Sequence, residues 1–563
     1  MQKMGLMLSM FMLSSAFATA LPQEITAQYR VLSEGFTSEN PQLIKQVVSE
    51  HLDHIDLDGV HSGLQALLGT FEPGALHRLD FQNHGVEVLD FQPLGYGWVV
   101  EVQRVVSGRI VSPGAAQEFT TTVTQRDTWE KEKGRWKIIR TQLLKEQSQS
   151  EGMTRTRTAY VPLDTTSLQK ISKTLKPHLW QFSDNVETFP TVPQLNALLD
   201  GARVVGMGEG SHGTHEHFQL KLQLLKHLVE HHGFTVFAIE ADLDDTYTIE
   251  QYVQGKGGSA EMATRSFDFW IWNTFEMQAL LQWIHDHNQK RGTRPAVHVV
   301  GFDLQDPLGS LQLLSQWEGQ LPEPVKAALR ELLSTPADQW HITQASAPEM
   351  RKHMQELSNW AASLNPLGEE TPYLQLLVRS ILQGVELQSS SGLMTSQLRD
   401  RFMAENVRWV QDRLYPDQKM MLWAHNLHIA KAQVQNSGVV PMGQHLAEQL
   451  GDQYRAWGLT FPRGSIRVLD GQMQKVAHLQ LPPVPADSLS ALMAPPVGWV
   501  TGLNVQQAAQ NRALLEWLAD HGTVQTSGHL AYPDMASWSQ INLVAAFDAV
   551  FSTEKSTPAR ALP

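Results

Sequence analysis

The strongest constraint on this chain is a repeated alternation of strand-like and helical segments beyond residue 163. Short apolar runs rich in β-branched and aromatic residues are separated by longer stretches whose apolar residues recur at helical spacing. The alternation predicts an α/β domain over residues 163–563, with a mostly parallel sheet covered by helices, because each helix carries the chain back to begin another parallel strand. The predicted strands are Arg203–Met207, Thr235–Ile239, Val297–Val300, Lys419–Trp423, Tyr454–Leu459 and Val544–Phe551.

Residues from about 322 to 414 interrupt this alternation. Apolar side chains such as Val325, Leu329 and Leu332 recur at helical spacing there, whereas strand signals are scarce. We therefore predict a helical insertion that forms a lobe on the α/β domain.

The first part of the chain has a different organisation. Short helices followed by several strands predict an α+β domain over residues 21–147, and the Gln-, Ser- and Thr-rich residues 148–162 predict a linker. The last two predicted strands, Thr121–Glu130 and Arg135–Leu143, form a hairpin with its turn at Lys133-Gly134. This hairpin resembles the closing hairpin of nuclear-transport-factor-2-like (SnoaL-like) domains. The resemblance implies a cone-like fold that holds a ligand or mediates dimerisation.

Residues 1–20 have the features of a cleavable export signal. Lys3 precedes the apolar run Leu6–Leu13, and Ala18–Ala20 supplies the small residues of a cleavage site. No apolar run reaches the roughly 20 residues that cross a bilayer. The sequence thus predicts cleavage after Ala20 and a periplasmic or secreted protein without a membrane span.

Composition narrows the classes of partner. The 563 residues exceed the roughly 100–200 of a single domain, so two or more domains are expected. The 58 acidic and 44 basic residues give a net charge of −14, which argues against nucleic acid or anionic lipid as a partner. The chain contains no Cys, which excludes disulfides, thiolate metal sites and Cys nucleophiles. A small-molecule partner fits these observations.

Ionisable residues directly follow four of the predicted strands. In open α/β sheets, ligands bind at the carboxyl ends of the strands, so these positions are candidates for a site. The glycine-rich segment after the first strand carries Glu209 and His212, and the third strand ends at Asp303. The candidate catalytic residues are Glu209, His212, Glu240, His425 and His428. His425 and His428 are about one helical turn apart, so both can face one point.

These residue types suit hydrolysis by activated water. A neutral imidazole, with a pKa of about 6.5, accepts a proton from water at neutral pH. Glu209 or Glu240 could orient His212, and His425, His428 and Lys221 are candidates to donate hydrogen bonds to an oxyanion. Ser211 lacks the Gly-x-Ser-x-Gly context of a serine nucleophile.

Five separated segments together resemble the erythromycin esterase family. They are Val204–Gly213, Gly233–Glu240, Gly301–Asp303, Arg399–Asn406 and Ala424–His428. The resemblance extends from about residue 163 to residue 551. It implies an α/β domain with a helical lobe over a deep cleft, and hydrolysis of a macrolide lactone without a required metal or other cofactor.

The resemblance also implies roles for individual residues. His212 corresponds to the family's proposed base, while Lys221 replaces a family arginine and so loses the bidentate guanidinium fork. Glu276 follows Asn273 at a capping-box spacing, so a structural role for Glu276 stays open. The residues expected to bind substrate are Lys221, Asp303, Glu276 and Arg399.

Two alternatives use the same cleft. Glu209, His212, His425 and His428 could instead hold a divalent metal ion in a metallohydrolase. The chain could also be a non-catalytic exported protein that binds an amphipathic ligand. Within the hydrolase hypothesis, another lactone or ester is open as the substrate beside a macrolide, and dimerisation through the N-terminal domain is a further expectation.

Overall fold

The computed structural model separates the chain into two compact units, with the division between Ser148 and Gln149. It describes residues 20–69, 78–112, 115–150, 153–183, 193–334, 347–365, 368, 370–390, 392–433, 438–470, 475–528, 530–531 and 537–563. The proposed export signal lies outside the described residues, apart from Ala20. None of the described helices is both long enough and apolar enough to cross a membrane.

The N-terminal unit combines helices with a mostly antiparallel sheet, as predicted. Its helices are α1 (Gln23–Thr37), α2 (Pro41–Val47) and α3 (Leu64–Gly69). Its strands are β1 (Val48–Ile55), β2 (His61–Ser62), β3 (Arg78–Leu94), β4 (Gly97–Ser112), β5 (Ala115–Glu132) and β6 (Arg135–Ser150), in the spatial order β2-β1-β6-β5-β4-β3. The predicted turn is present, with positive φ angles of 51° at Lys133 and 80° at Gly134, which match the right-handed twist of a hairpin.

A buried polar network joins helix α1 of this unit to its sheet. The Asp127 carboxylate is fully buried and accepts hydrogen bonds from the Tyr29 hydroxyl, the Gln125 amide and the Thr141 hydroxyl. The Trp129 indole donates to the Tyr29 oxygen at 2.9 Å. Since buried polar groups are costly without partners, these bonds fix α1 against the sheet.

A strand, β7 (Met153–Thr158), occupies part of the predicted linker. The C-terminal unit then builds its main sheet from strands β8 (Leu179–Ser183), β9 (Val204–Met207), β10 (Phe234–Asp242), β11 (His298–Asp303), β12 (Lys419–Trp423), β13 (Tyr454–Thr460), β16 (Trp499–Asn504) and β20 (Ala549–Thr553). Over the described residues the order is β11-β10-β12-β9-β13-β20-β16-β8. The strands from β11 to β20 in this order are parallel, and only β16 and β8 pair antiparallel, which confirms the predicted sheet.

The last predicted strand begins later than expected. Residues Leu543–Ala546 form a helical turn, capped by the Asn542 side chain, which accepts a hydrogen bond from the Ala545 amide. The strand begins only at Ala549. A short apolar run does not distinguish strand from buried helix, and the cap decides in favour of the helix here. The remaining strands are β14 (Ser465–Asp470), β15 (Lys475–Gln480), β17 (Thr523–Gln525), β18 (Leu530–Ala531) and β19 (Trp538–Gln540).

Helices cover the sheet. They are α4 (Thr165–Leu175), α5 (Pro193–Leu198), α6 (His215–His232), α7 (Leu243–Val253), α8 (Ala260–Arg265), α9 (Phe275–Lys290), α10 (Pro307–Leu314), α11 (Glu323–Ser334), α12 (Ala347–Ser363), α13 (Thr371–Gln388), α14 (Gly392–Trp409), α15 (Asn426–Ile429), α16 (Met442–Leu450), α17 (Leu489–Leu492), α18 (Val505–Ala508), α19 (Arg512–Asp520) and α20 (Leu543–Ala546). Helices α11 to α14 form the predicted helical lobe. Buried apolar side chains of the lobe, such as Leu329 and Val407, share one core with strand residues such as Val204.

Candidate active site

The carboxyl ends of the central strands meet at one edge of the sheet. Met207 of β9 and Ile239 of β10 both pair in register with Trp423 of β12, so the residues that follow these strands are neighbours. A cavity of about 680 Å³ opens there. It brings together six of the predicted site residues: His212, Glu240, Asp303, Arg399, His425 and His428.

The glycines after β9 allow this segment to pack closely against its neighbours. A Cβ atom on Gly208 would lie 2.0 Å from the Asn426 Oδ1 atom, and one on Gly213 would lie 1.6 Å from the Arg467 carbonyl oxygen. Both distances are far below van der Waals contact. The absence of a side chain at these positions therefore sets where the intervening Glu209 and His212 lie.

Glu209 and His212 form a carboxylate–imidazole pair. The His212 Nδ1 atom is 2.6 Å from Glu209 Oε1, and the His212 ring lines the cavity while only 4% exposed. Glu209 is fully buried behind it. Because the carboxylate accepts the Nδ1 proton, the lone pair of the neutral ring is on Nε2.

Two further donors bind the other oxygen of Glu209. The Lys221 ammonium and the Trp423 indole each donate to Oε2 at 2.9 Å. Burial alone raises the pKa of the Glu209 carboxyl, but Lys221 and His212 outweigh it and bring that pKa to about 2. Burial lowers the pKa of Lys221 to about 8, against the opposing effect of Glu209. The carboxylate is thus ionised at neutral pH.

The location of Lys221 corrects the expected substrate contact. Its side chain is fully buried, and its charged end reaches Glu209 inside the protein. The sequence did not reveal this, because a long charged side chain on a helix can point toward either solvent or core. Lys221 therefore acts behind the site, by holding Glu209.

Glu240 connects three parts of the site. Its Oε1 atom accepts a hydrogen bond from Arg399 at 2.7 Å and lies 3.3 Å from His428 Nε2, while Oε2 accepts the backbone N–H of His425 at 2.9 Å. Burial raises the pKa of the Glu240 carboxyl, but His428, Arg399 and His212 outweigh it and hold that pKa well below its usual range. Glu240 is an anion that ties β10 to α14 and α15.

His425 and His428 face the same cavity but differ in environment. The His425 ring centroid is 5.2 Å from that of His212, and burial lowers the pKa of His425 to about 3, so it is neutral at ordinary pH. The His428 Nδ1 atom lies 2.8 Å from the Asp400 carboxylate. Burial lowers the pKa of His428, but Asp400 and Glu240 outweigh it, and the net pKa is raised.

Arg399 joins Asp303 to Glu240. Its Nε and NH2 atoms donate to the two Asp303 oxygens at 3.0 and 2.6 Å, and its NH1 atom is 3.2 Å from His428 Nε2. Both predicted residues line the cavity, yet most of the guanidinium fork is used within the protein. Arg399 thus fixes the side chains of Asp303, Glu240 and His428 relative to one another.

Glu276 lies away from the cavity, which corrects its expected substrate contact. Its carboxylate pairs with the His215 imidazole at 2.5 Å and with the Arg560 side chain at 2.9 Å. Thr274, one residue later than the Asn273 considered from the sequence, caps α9 by accepting from the Met277 amide. Glu276 therefore ties the C-terminal residues to α9.

Several residues that line the cavity or contact its lining were not assigned a role from the sequence. Asp400 lies in the segment Arg399–Asn406 that resembles the family, but its contact with His428 depends on how α14 packs. The strand-end rule could have suggested Asp242, at the end of β10, and Asp245 also lines the cavity. Burial and Asp244 raise the pKa of Asp245 to about 8. The segment from Thr526 to Gly528 carries no recognisable motif.

The alternative of a metal centre used Glu209, His212, His425 and His428 as ligands. Within the part of the chain that the structure describes, no group of three or more His, Asp or Glu side chains is arranged to hold a metal ion. Glu209, one of the four ligands considered, is already bound by Lys221, Trp423 and His212.

A sheet of this topology, with carboxylates and imidazoles at its carboxyl edge, defines an α/β protein with an enzyme-like cleft. The profile of the family described as Erythromycin esterase matches residues 229–556, more than half of the chain. The chain therefore belongs to the erythromycin esterase family, and esterase-type hydrolysis is the activity that this membership supports.

Individual relatives agree with this assignment. The chain is 25% identical over 336 residues to the putative hydrolase YbfO of Bacillus subtilis (strain 168), covering 53% of this chain and 73% of the relative. It is 27% identical over 304 residues to erythromycin esterase type I of Escherichia coli, covering 47% and 71%.

Solved structures show the same fold. A succinoglycan biosynthesis protein matches with a TM-score of 0.60 at 21% identity, covering 71% of this chain and all of that chain. A mutant of the erythromycin esterase EreC in its open conformation matches with a TM-score of 0.51 at 21% identity, covering 68% and 99%. Identities this low support similarity of fold alone.

Proposed function

We propose that this protein hydrolyses a carboxylic ester or lactone with a water molecule activated by His212, without a metal ion. The observation that carries the proposal is the Glu209–His212 pair at a cavity that also contains Glu240, His425 and His428. The same family membership and the named relatives are consistent with this reaction.

In this mechanism His212 acts as the general base. Glu209 fixes the proton on Nδ1, so Nε2 accepts a proton from water as the water oxygen attacks the carbonyl carbon. The Glu209 anion stabilises the resulting imidazolium, as the carboxylate does in a Ser-His-Asp triad. Lys221 and Trp423 hold Glu209 in the required position.

Charge then develops on the former carbonyl oxygen. Of the three donors expected from the sequence, Lys221 is too deeply buried to reach it, and both ring nitrogens of the neutral His425 already face backbone N–H groups, those of Leu427 and Gly528. The third, His428, lines the cavity. Donors fixed before the reaction stabilise an oxyanion strongly in a site with little water. Arg399 supplies a positive charge at the same cavity.

The cavity is suited to a small-molecule substrate. Its volume of about 680 Å³ is within the roughly 300–1,000 Å³ typical of such sites. Phe269 and Trp272 provide aromatic surface, while Asp242 and Asp245 provide polar surface. A macrolide is one candidate, and other lactones or esters are equally compatible with a chain proposed to be exported.

The decisive experiment is a hydrolysis screen with macrolides, smaller lactones and simple alkyl esters, with and without a chelator. Wild-type protein should convert at least one substrate, and His212→Asn should abolish turnover while circular dichroism stays unchanged. The exposed His478 on β15 offers a matched control, His478→Asn, which should keep full activity. Full activity in His212→Asn would refute the assigned base, and loss of activity on exhaustive chelation would favour the metallohydrolase.

Export has its own test. Mass spectrometry of the protein recovered from periplasmic and culture fractions should give a chain that begins at Leu21. A full-length chain confined to the cytoplasm would contradict the proposed signal.

A further inference from the structure

His428 contacts both a proton acceptor and a proton donor through one nitrogen. Its Nε2 atom is 3.3 Å from the Glu240 carboxylate and 3.2 Å from the Arg399 guanidinium. A neutral ring accepts from Arg399 through Nε2, whereas a protonated ring donates to Glu240 through the same atom. His428 Nε2 therefore has a hydrogen-bond partner whether or not it carries a proton.

The other nitrogen is held in one state by Asp400. This carboxylate is 3% exposed, and its Oδ1 atom accepts from His428 Nδ1 and from the Met442 backbone N–H, each at 2.8 Å. The second bond anchors the carboxylate to the start of α16. Since Asp400 keeps the proton on Nδ1, gain and loss of a proton occur at Nε2, the nitrogen that contacts Glu240 and Arg399, which both line the cavity.

The two carboxylate–imidazole pairs of the site are therefore not equivalent. The Glu209 carboxylate is hydrogen-bonded to three groups, those of His212, Lys221 and Trp423. His428 instead has a carboxylate near each of its nitrogens, with Arg399 as the opposing cation. A site whose titratable groups are placed in contrasting environments separates an acid from a base.

We infer that His428, positioned by Asp400, is the general acid that protonates the leaving alkoxide in the proposed hydrolysis. The inference rests on the proposed function, because it needs an ester or lactone in the same cavity. His428 is then a catalytic residue, and Asp400 is a positioning residue.

The proton balance uses only water and the two imidazoles. The water oxygen bonds to the carbonyl carbon, and one water proton moves to His212 Nε2. When the tetrahedral intermediate collapses, the electron pair of the broken C–O bond stays on the alkoxide oxygen, which takes the proton from His428 Nε2. His212 then releases its proton to solvent, and His428 regains one from solvent, so the enzyme returns to its starting state.

Leaving-group dependence distinguishes this role from simple binding. An alkyl alkoxide is a poor leaving group and needs protonation as it departs, whereas p-nitrophenolate leaves without it. General acid catalysis contributes about 10²–10⁴-fold where it is required. Loss of the acid should therefore be severe for alkyl esters and mild for the p-nitrophenyl ester of the same acid.

The experiment compares kcat/KM for ethyl butyrate, p-nitrophenyl butyrate and a medium-ring lactone in wild type, His428→Gln, Asp400→Asn, His212→Asn and the control His478→Asn. We expect His428→Gln to lose about 10²-fold or more on ethyl butyrate and the lactone, but under about tenfold on p-nitrophenyl butyrate. His212→Asn should lose equally on all three. Asp400→Asn should show the selective pattern of His428→Gln and move the alkaline limb of the pH profile to lower pH.

Equal losses on all three substrates in His428→Gln would overturn the inference and leave the proposed function intact. An unchanged alkaline limb in a folded Asp400→Asn would overturn the role of Asp400. A wild-type protein that hydrolyses none of the three substrates, nor any in the wider screen, would overturn the proposed function and the inference together.

Discussion

The Lys221 ammonium and the Glu209 carboxylate form a fully buried ion pair, 2.9 Å apart, directly behind the His212 imidazole. An ion pair in this location stabilises the site only while both partners are present, since each charge has been removed from water. The structure thus couples the stability of the fold to the orientation of the proposed base.

The ion pair gives a first prediction. Lys221→Met should lower the free energy of unfolding by about 3–5 kcal/mol, because it leaves the Glu209 charge buried without its cation. Urea denaturation measures the change. The double variant Lys221→Met/Glu209→Gln should recover part of the loss, and additive effects of the two substitutions would contradict the proposed coupling.

A second prediction concerns acid stability. The pKa of His425 is lowered by burial to about 3, below the value of about 6.5 expected in the unfolded chain. Between these values the unfolded state binds more protons, so the stabilisation is present above about pH 6.5 and is lost as pH falls toward 3. His425→Gln should flatten the dependence of the unfolding free energy on pH over this window. An unchanged slope would show that His425 does not contribute.

The glycine motif supports a third prediction. Gly213→Ala would place a methyl group against the Arg467 carbonyl oxygen, which is backbone and cannot move aside alone. We expect a loss of about 1–3 kcal/mol in stability together with reduced turnover. Gly319→Ala is the matched control, because a Cβ there meets no atom within 4 Å. Equal thermal stability of the two variants would contradict the packing argument.

Arg399 allows a fourth prediction. Arg399→Lys keeps the positive charge but loses the fork that holds both Asp303 oxygens and Glu240, so kcat/KM should fall by about tenfold or more. The half-exposed Arg401 on the same helix provides the comparison, and Arg401→Lys should be neutral. Wild-type activity in Arg399→Lys would show that charge alone suffices at this position.

Local pattern was enough to predict much of the architecture. The spacing of apolar residues and the β-branched content predict the alternating strands and helices and the lobe of α11 to α14. The turn residues predict the Lys133-Gly134 hairpin. Val544 is an exception, because a short apolar run is ambiguous until a cap such as Asn542 is seen in place. The strand-end rule likewise brought His212, Glu240 and His425 together at one edge, since parallel strands share a carboxyl end.

The sequence by itself determined which residues follow the strands, because that depends only on order along the chain. The tertiary structure decided which groups each side chain contacts. Lys221 turns inward to Glu209, Glu276 pairs with Arg560, and Asp400 reaches His428 from the helical lobe. These contacts join residues on different helices and strands, and the hydrophobic period of one segment does not specify how it packs against another. A charged side chain on an amphipathic helix can face solvent or core, and only a buried partner within bonding distance decides between them.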